Sequence, residues 1–145
     1  MVRRPVAFVT AIVLFVEAVG IVIVNGVLAT VAGNQSMSLA GMDPDAMVTG
    51  TWVMGGVSGV LLALCGLIPL LAAIRDRAPG RVGRITLIAC AVVHGVLGAL
   101  AVGLIGWAAF VFLMVVLGLI VLTLVAFDRR EPEAVKPTGA APEPV

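Results

Sequence analysis

Between Pro5 and Ile74 the chain carries no lysine or arginine, and its only acidic residues there are Glu17, Asp43 and Asp45. A second run, from Ile85 to Phe127, holds no charged residue except the titratable His94. A bilayer core is about 30 Å thick, and a helix rising 1.5 Å per residue crosses it in about 20 residues. Apolar runs of this length point to membrane-spanning helices, because a helix satisfies its own backbone polar groups within one segment. Four spans fit, at about 6–32, 51–74, 85–104 and 107–127. The run from Ile85 to Phe127 is too long for one crossing and right for a tight hairpin, with Gly103, Gly106 and Trp107 marking its turn. The expected fold is all-α: a four-helix transmembrane bundle over residues 1–127. Residues 128–145 read as a disordered tail, since Pro132, Pro137, Pro142 and Pro144 are set among mixed charges without apolar periodicity.

Charge placement sets the expected orientation. All nine basic residues fall on one side of this plan. Arg3 and Arg4 precede the first span, Arg75, Arg77, Arg81 and Arg84 separate the second from the third, and Arg129, Arg130 and Lys136 follow the fourth. The positive-inside rule then leads us to expect a multi-pass protein with both termini in the cytoplasm. Trp52 and Trp107 fall at the opposite interface, where amphipathic rings anchor spans. Despite the basic start, the first span is expected to be retained and not cleaved as a signal. Its apolar run is too long, contains Glu17 and Asn25, and lacks a small-residue cleavage site. Charged residues make up 12% of the chain, about half the share of a soluble domain, and no basic surface for nucleic acid is present.

Local punctuation refines the helices. Asp43-Pro44-Asp45 has the form of a helix start, with an N-cap, a proline in the first helical position and an acid in the first turn. The second helix is therefore expected to begin outside the membrane. Pro69 removes a backbone donor and predicts a kink near its other end. In lipid, small residues let helices approach closely. Gly55 and Gly59, with Gly56, Ala63 and Gly66, mark one face of the second helix as a packing surface. Ala91, Gly95, Ala99 and Gly103 repeat every fourth residue along the third. The fourth, with Gly118 amid Val, Leu, Phe and Met, is expected to face lipid most.

A carboxylate at the bilayer centre is disfavoured by about 3 kcal/mol, so Glu17 calls for a role or a partner. His94, the only histidine, stands at a similar depth in the third span, within about 3 Å by helical rise. It emerges from a patch of small side chains that includes Cys90, Ala91, Gly98 and Ala101. Thr10 falls within about 20° of Glu17 on the helical wheel, and Asn25 about 80° away. Glu17, His94, Asn25 and Thr10 form the candidate intramembrane polar site. Two readings stay open. The pair is an internal staple that selects the helix pairing, or it is a proton or ligand site with coupled titrations.

Other chemistry is thin. One histidine makes neither a bis-histidine haem site nor a zinc site within one protomer, and no nucleophile–base set or phosphate loop is present. Cys65 and Cys90 form no CxxC motif; they read as small apolar fillers at somewhat different depths. No cofactor, no metal and no enzymatic activity are expected. The run Glu17-Ala18-Val19-Gly20 resembles the first helix of small multidrug resistance transporters, which work as dimers around a membrane-embedded glutamate. The chain departs from that pattern: it has no tyrosine, and neither tryptophan lies near mid-membrane. Leu39 to Asp45, Ala63 to Gly66 and Cys90 to Gly95 resemble small integral membrane proteins of actinobacterial, Streptomyces-like type, a resemblance that implies location and topology. The expected function is that of a non-enzymatic accessory or regulatory component acting by helix–helix association, with the bilayer and another membrane protein as partners. The alternative is a proton-coupled transporter working as a homo-oligomer, with Glu17 carrying the proton.

Overall fold

The computed structural model describes residues 3–35, 41 and 43–128. Within them lie four helices: α1 (Arg3–Asn34), α2 (Pro44–Arg75), α3 (Arg81–Leu104) and α4 (Trp107–Asp128). All four are long and apolar enough to cross a membrane. Residues 129–145, where the tail is expected, lie outside the described residues. Asp128, read as the first residue of that tail, is instead the last residue of α4.

Each boundary has a local cause. Asp43 adopts extended geometry and its side chain accepts from the Asp45 amide at 2.8 Å, so α2 starts at Pro44, well before its apolar stretch. α2 ends at Asp76, whose φ of 50° is the left-handed conformation that aspartate tolerates better than most residues. α3 is separated from α4 by Gly106, whose φ of 117° reverses the chain while its amide bonds back to the Ala101 carbonyl at 2.8 Å. Gly103, expected in that turn, is inside α3. α2 runs through Pro69 as a single helix, with the proline fully buried. The missing amide leaves the Cys65 carbonyl without its helical donor.

The helices close a ring. α1 packs on α2 along the longest seam, α3 packs on α4, α4 closes back onto α1, and α2 touches α3 only lightly. α1 and α3 therefore stand across the bundle from one another. Leu14, Leu87, Cys90, Val116 and Ile120 fill the centre, and a second cluster of Ala7, Ala72, Ala73 and Phe127 fills the arginine-rich end. α4 buries 22% of its apolar window, the least of the four, in line with its single glycine.

The α1–α2 seam uses the expected glycine face. A Cβ at Gly59 would stand 2.5 Å from Val22 Cγ2 and 3.2 Å from the Ala18 carbonyl oxygen, and one at Gly55 would stand 2.5 Å from Asn25 Cβ. Gly56, assigned to the same face, is exposed and open. The α3 stripe needs a larger correction. Ala91 and Gly95 are partly buried, but Ala99 and Gly103 are exposed, and no atom lies within 4 Å of a Cβ built at Gly103. The packed face of α3 is Leu87, Cys90, His94, Gly98 and Ala101. A four-residue repeat advances 400° per step, so it drifts off a straight contact line, whereas mixed three- and four-residue spacing holds one face.

Charges collar one end. Arg3 pairs with Asp76 at 2.8 Å, and Arg84 grips both Asp128 oxygens at 2.7 and 2.9 Å. Arg4 Nε donates to the Ala73 carbonyl at 3.0 Å. Arg3 and Asp128 thus share an end with the α2–α3 loop. At the other end the Trp52 ring is seated against Gly26. By helical rise Gly26 is about 33 Å from Arg4, and Trp107 is about 31 Å from Asp128. The two tryptophans share one level, about a hydrocarbon thickness from the collar.

Candidate functional site

Glu17 projects from α1 and His94 from α3, and their side chains meet across the bundle. His94 Nε2 lies 3.0 Å from Glu17 Oε2, with His94 3% and Glu17 14% exposed. α1 and α3 share no extended backbone seam, so this bond adds a polar tie between helices that otherwise meet through the central cluster of Leu14, Leu87 and Cys90. Small residues make the approach possible. Ala18 and Cys90 are buried beside the pair, and Gly98 admits Met114, whose methyl would collide with any Cβ there.

The second ring nitrogen fixes the proton arrangement. His94 Nδ1 lies 2.8 Å from the Cys90 carbonyl oxygen. A carbonyl only accepts, so Nδ1 carries a hydrogen and donates it. Nε2 is then the nitrogen that changes state. With a protonated carboxyl, Glu17 donates to Nε2; with an imidazolium, Nε2–H donates to the carboxylate. Both arrangements hold the same single proton and carry no net charge. In either arrangement the hydrogen bond links α1 to α3 across the bundle.

Thr10 and Asn25 are not part of this link. Thr10 is fully buried on the α1–α4 seam, with its hydroxyl 2.9 Å from the Val6 carbonyl, 3.2 Å from the Leu119 carbonyl and 2.9 Å from the Thr123 hydroxyl. Thr123 in turn donates to the Leu119 carbonyl at 2.9 Å. Asn25 Nδ2 donates to the Ile21 carbonyl at 2.8 Å and lies against Gly55. Thr10 sits about 10 Å from Glu17 along α1, and Asn25 about 12 Å on the other side. The wheel angle aligned these residues, but the axial rise separates them.

Thr123 is the polar partner that sequence reasoning missed. Its signal is present, since it is the only hydroxyl residue in α4. The cysteines also differ from expectation. Cys65 packs against the cluster that contains Cys90, so the two thiols share a layer instead of lying at different depths. By helical rise Cys65 is about 15 Å from Arg75 and Cys90 about 14 Å from Arg81. Both are free, and Cys90 Sγ lies 3.7 Å from His94 Nδ1. No group of three or more His, Cys, Asp or Glu side chains among the described residues is arranged to hold a metal ion. Comparison with protein-family models, with curated proteins and with solved structures finds no match.

Proposed function

We propose that this multi-pass membrane protein is a non-enzymatic accessory or regulatory component that acts by lateral association with other membrane helices. One observation carries the reading: the buried polar side chains of the spans find partners within the monomer. Among the described residues no buried side-chain nitrogen or oxygen lacks a hydrogen bond. What the bundle offers outward is apolar surface, including the exposed Ala99 and Gly103 of α3, where a second helix has room to approach. The Gly55 and Gly59 face of α2 is already occupied by α1, so it is not the association surface. On this reading Glu17–His94 is the internal clamp that holds the outward faces in register. The arginine distribution supports an orientation with both termini cytoplasmic.

A second reading has its own support. Glu17 keeps 14% exposure, and its hydrogen bond to His94 can carry a proton on either partner. A homo-oligomer could use that proton in coupled transport, with Glu17 as the carrier. Native mass spectrometry of the protein released from its host's membranes separates the two. A defined complex with a different membrane protein is the expected result. A homodimer whose proton flux is abolished by Glu17→Gln would replace the accessory reading with transport. A bare monomer would sink both.

A further inference from the structure

At the arginine-rich end a cavity of about 290 Å³ opens between the last turns of α2 and the first turn of α3. Ile68 and Leu71 form its apolar wall, Arg75 and Arg77 its polar rim, and Gly80 and Gly83 its α3 side. Gly83 brings the start of α3 close to α2, because a Cβ there would stand 3.1 Å from Ile68 Cγ2 and 3.2 Å from Pro79 Cβ.

The electrostatics of this cavity are one-sided. Gly80 caps α3 without any side-chain hydrogen bond, and the Arg84 amide bonds to the Gly80 carbonyl at 2.9 Å. The amides of Arg81, Val82 and Gly83 precede that bond and have no helical acceptor. Gly80 and Gly83, which bracket this turn, both line the cavity, so the positive end of the α3 dipole adds to the two guanidinium groups. The nearby acids are committed elsewhere: Asp76 to Arg3 at 2.8 Å and Asp128 to Arg84 at 2.7 Å. Arg75 and Arg77 have no ion-pair partner among the described residues.

We propose that this cavity binds the phosphate group of an anionic phospholipid. The phosphate would sit between the Arg75 and Arg77 rim and the free amides of α3. The volume is at the low end for ligand pockets, which suits a headgroup and leaves the acyl chains outside. Leu71, Leu67 and Leu64, all exposed and on one side of α2, continue the apolar wall toward the bilayer centre for those chains. The cavity thus joins a cationic rim to a greasy wall at the level where a lipid has its phosphate. This site stands independently of the association reading.

The test is native mass spectrometry of the full chain in detergent, titrated with phosphatidylglycerol and phosphatidylcholine of identical acyl chains. Phosphatidylglycerol is expected to bind more tightly. Arg75→Gln and Arg77→Gln should each weaken it about fivefold, the worth of one arginine at an anionic membrane surface. Arg4→Gln, which removes an exposed charge of the same end of the bundle but on α1 and outside this cavity's lining, should change it less than either. Helix content by circular dichroism should stay unchanged in all three, since none of these arginines is buried. Equal binding of the two lipids, or an equal loss in Arg4→Gln, would overturn the proposal. Displacement of phosphatidylglycerol by millimolar inorganic phosphate would assign the site to a soluble anion and overturn the lipid assignment; failure to displace supports it.

Discussion

His94→Ala is the perturbation that most directly tests the clamp. It removes an interhelical hydrogen bond of 3.0 Å between helices that share no extended seam. Bonds of this kind contribute about 0.6–2 kcal/mol in membrane bundles. The ring is almost fully buried, so its loss also leaves a cavity, and large-to-small core changes cost about 2–5 kcal/mol. A total near 3 kcal/mol is expected, toward the low end because the site is lined by small residues. Glu17→Ala loses the same bond and orphans Nε2. The double variant loses that bond only once, so the cycle should show a coupling of about 1–2 kcal/mol. Glu17→Gln is different. With Nδ1 donating to the Cys90 carbonyl, Nε2 accepts, and a glutamine amide N–H can supply it in nearly the same position. That variant should cost less than about 1 kcal/mol. The assay is reversible unfolding in mixed micelles, followed by circular dichroism as the denaturing detergent fraction rises. Losses that add within about 0.5 kcal/mol in the double variant would refute a direct bond. A Glu17→Gln cost equal to that of Glu17→Ala would refute the proton arrangement assigned to the ring.

Two other changes are predicted for the same assay. Gly59→Ala should destabilise by about 1–3 kcal/mol, because its Cβ meets Val22 and the Ala18 carbonyl, whereas Gly56→Ala, facing open space, should be neutral or gain up to about 1 kcal/mol of helix propensity; equal effects would show that α1 does not pack there. Thr123→Val should cost only about 0.5–1 kcal/mol, since Thr10 keeps the Val6 and Leu119 carbonyls as acceptors, and a loss above about 2 kcal/mol would mean that the two hydroxyls are coupled more strongly than this geometry allows.

Much of the frame is legible in local sequence. Asp43-Pro44-Asp45 announces the start of α2 because a cap acts within a few residues. Glu17 and His94 stand out as candidates because each is isolated in an apolar run, where a polar group is conspicuous. Gly55 and Gly59 are legible as a close-packing face. The partner of each element is not. The sequence suggests Thr10 as a neighbour of Glu17, yet Thr10 bonds to Thr123 on α4. It suggests Ala99 and Gly103 as packing positions, yet α3 turns them outward and buries Gly98 and Ala101.

The sequence by itself determines four apolar helices with their basic residues gathered toward one end, because transfer into lipid depends on the length and composition of each segment alone. Only the tertiary structure decides which faces meet. Lipid tails are as apolar as leucine, so no hydrophobic difference tells a helix which side to bury. Orientation then rests on the fit of small residues and on polar pairs formed between distant parts of the chain. The Glu17–His94 bond is such a pair, joining α1 to α3 across the centre of the bundle.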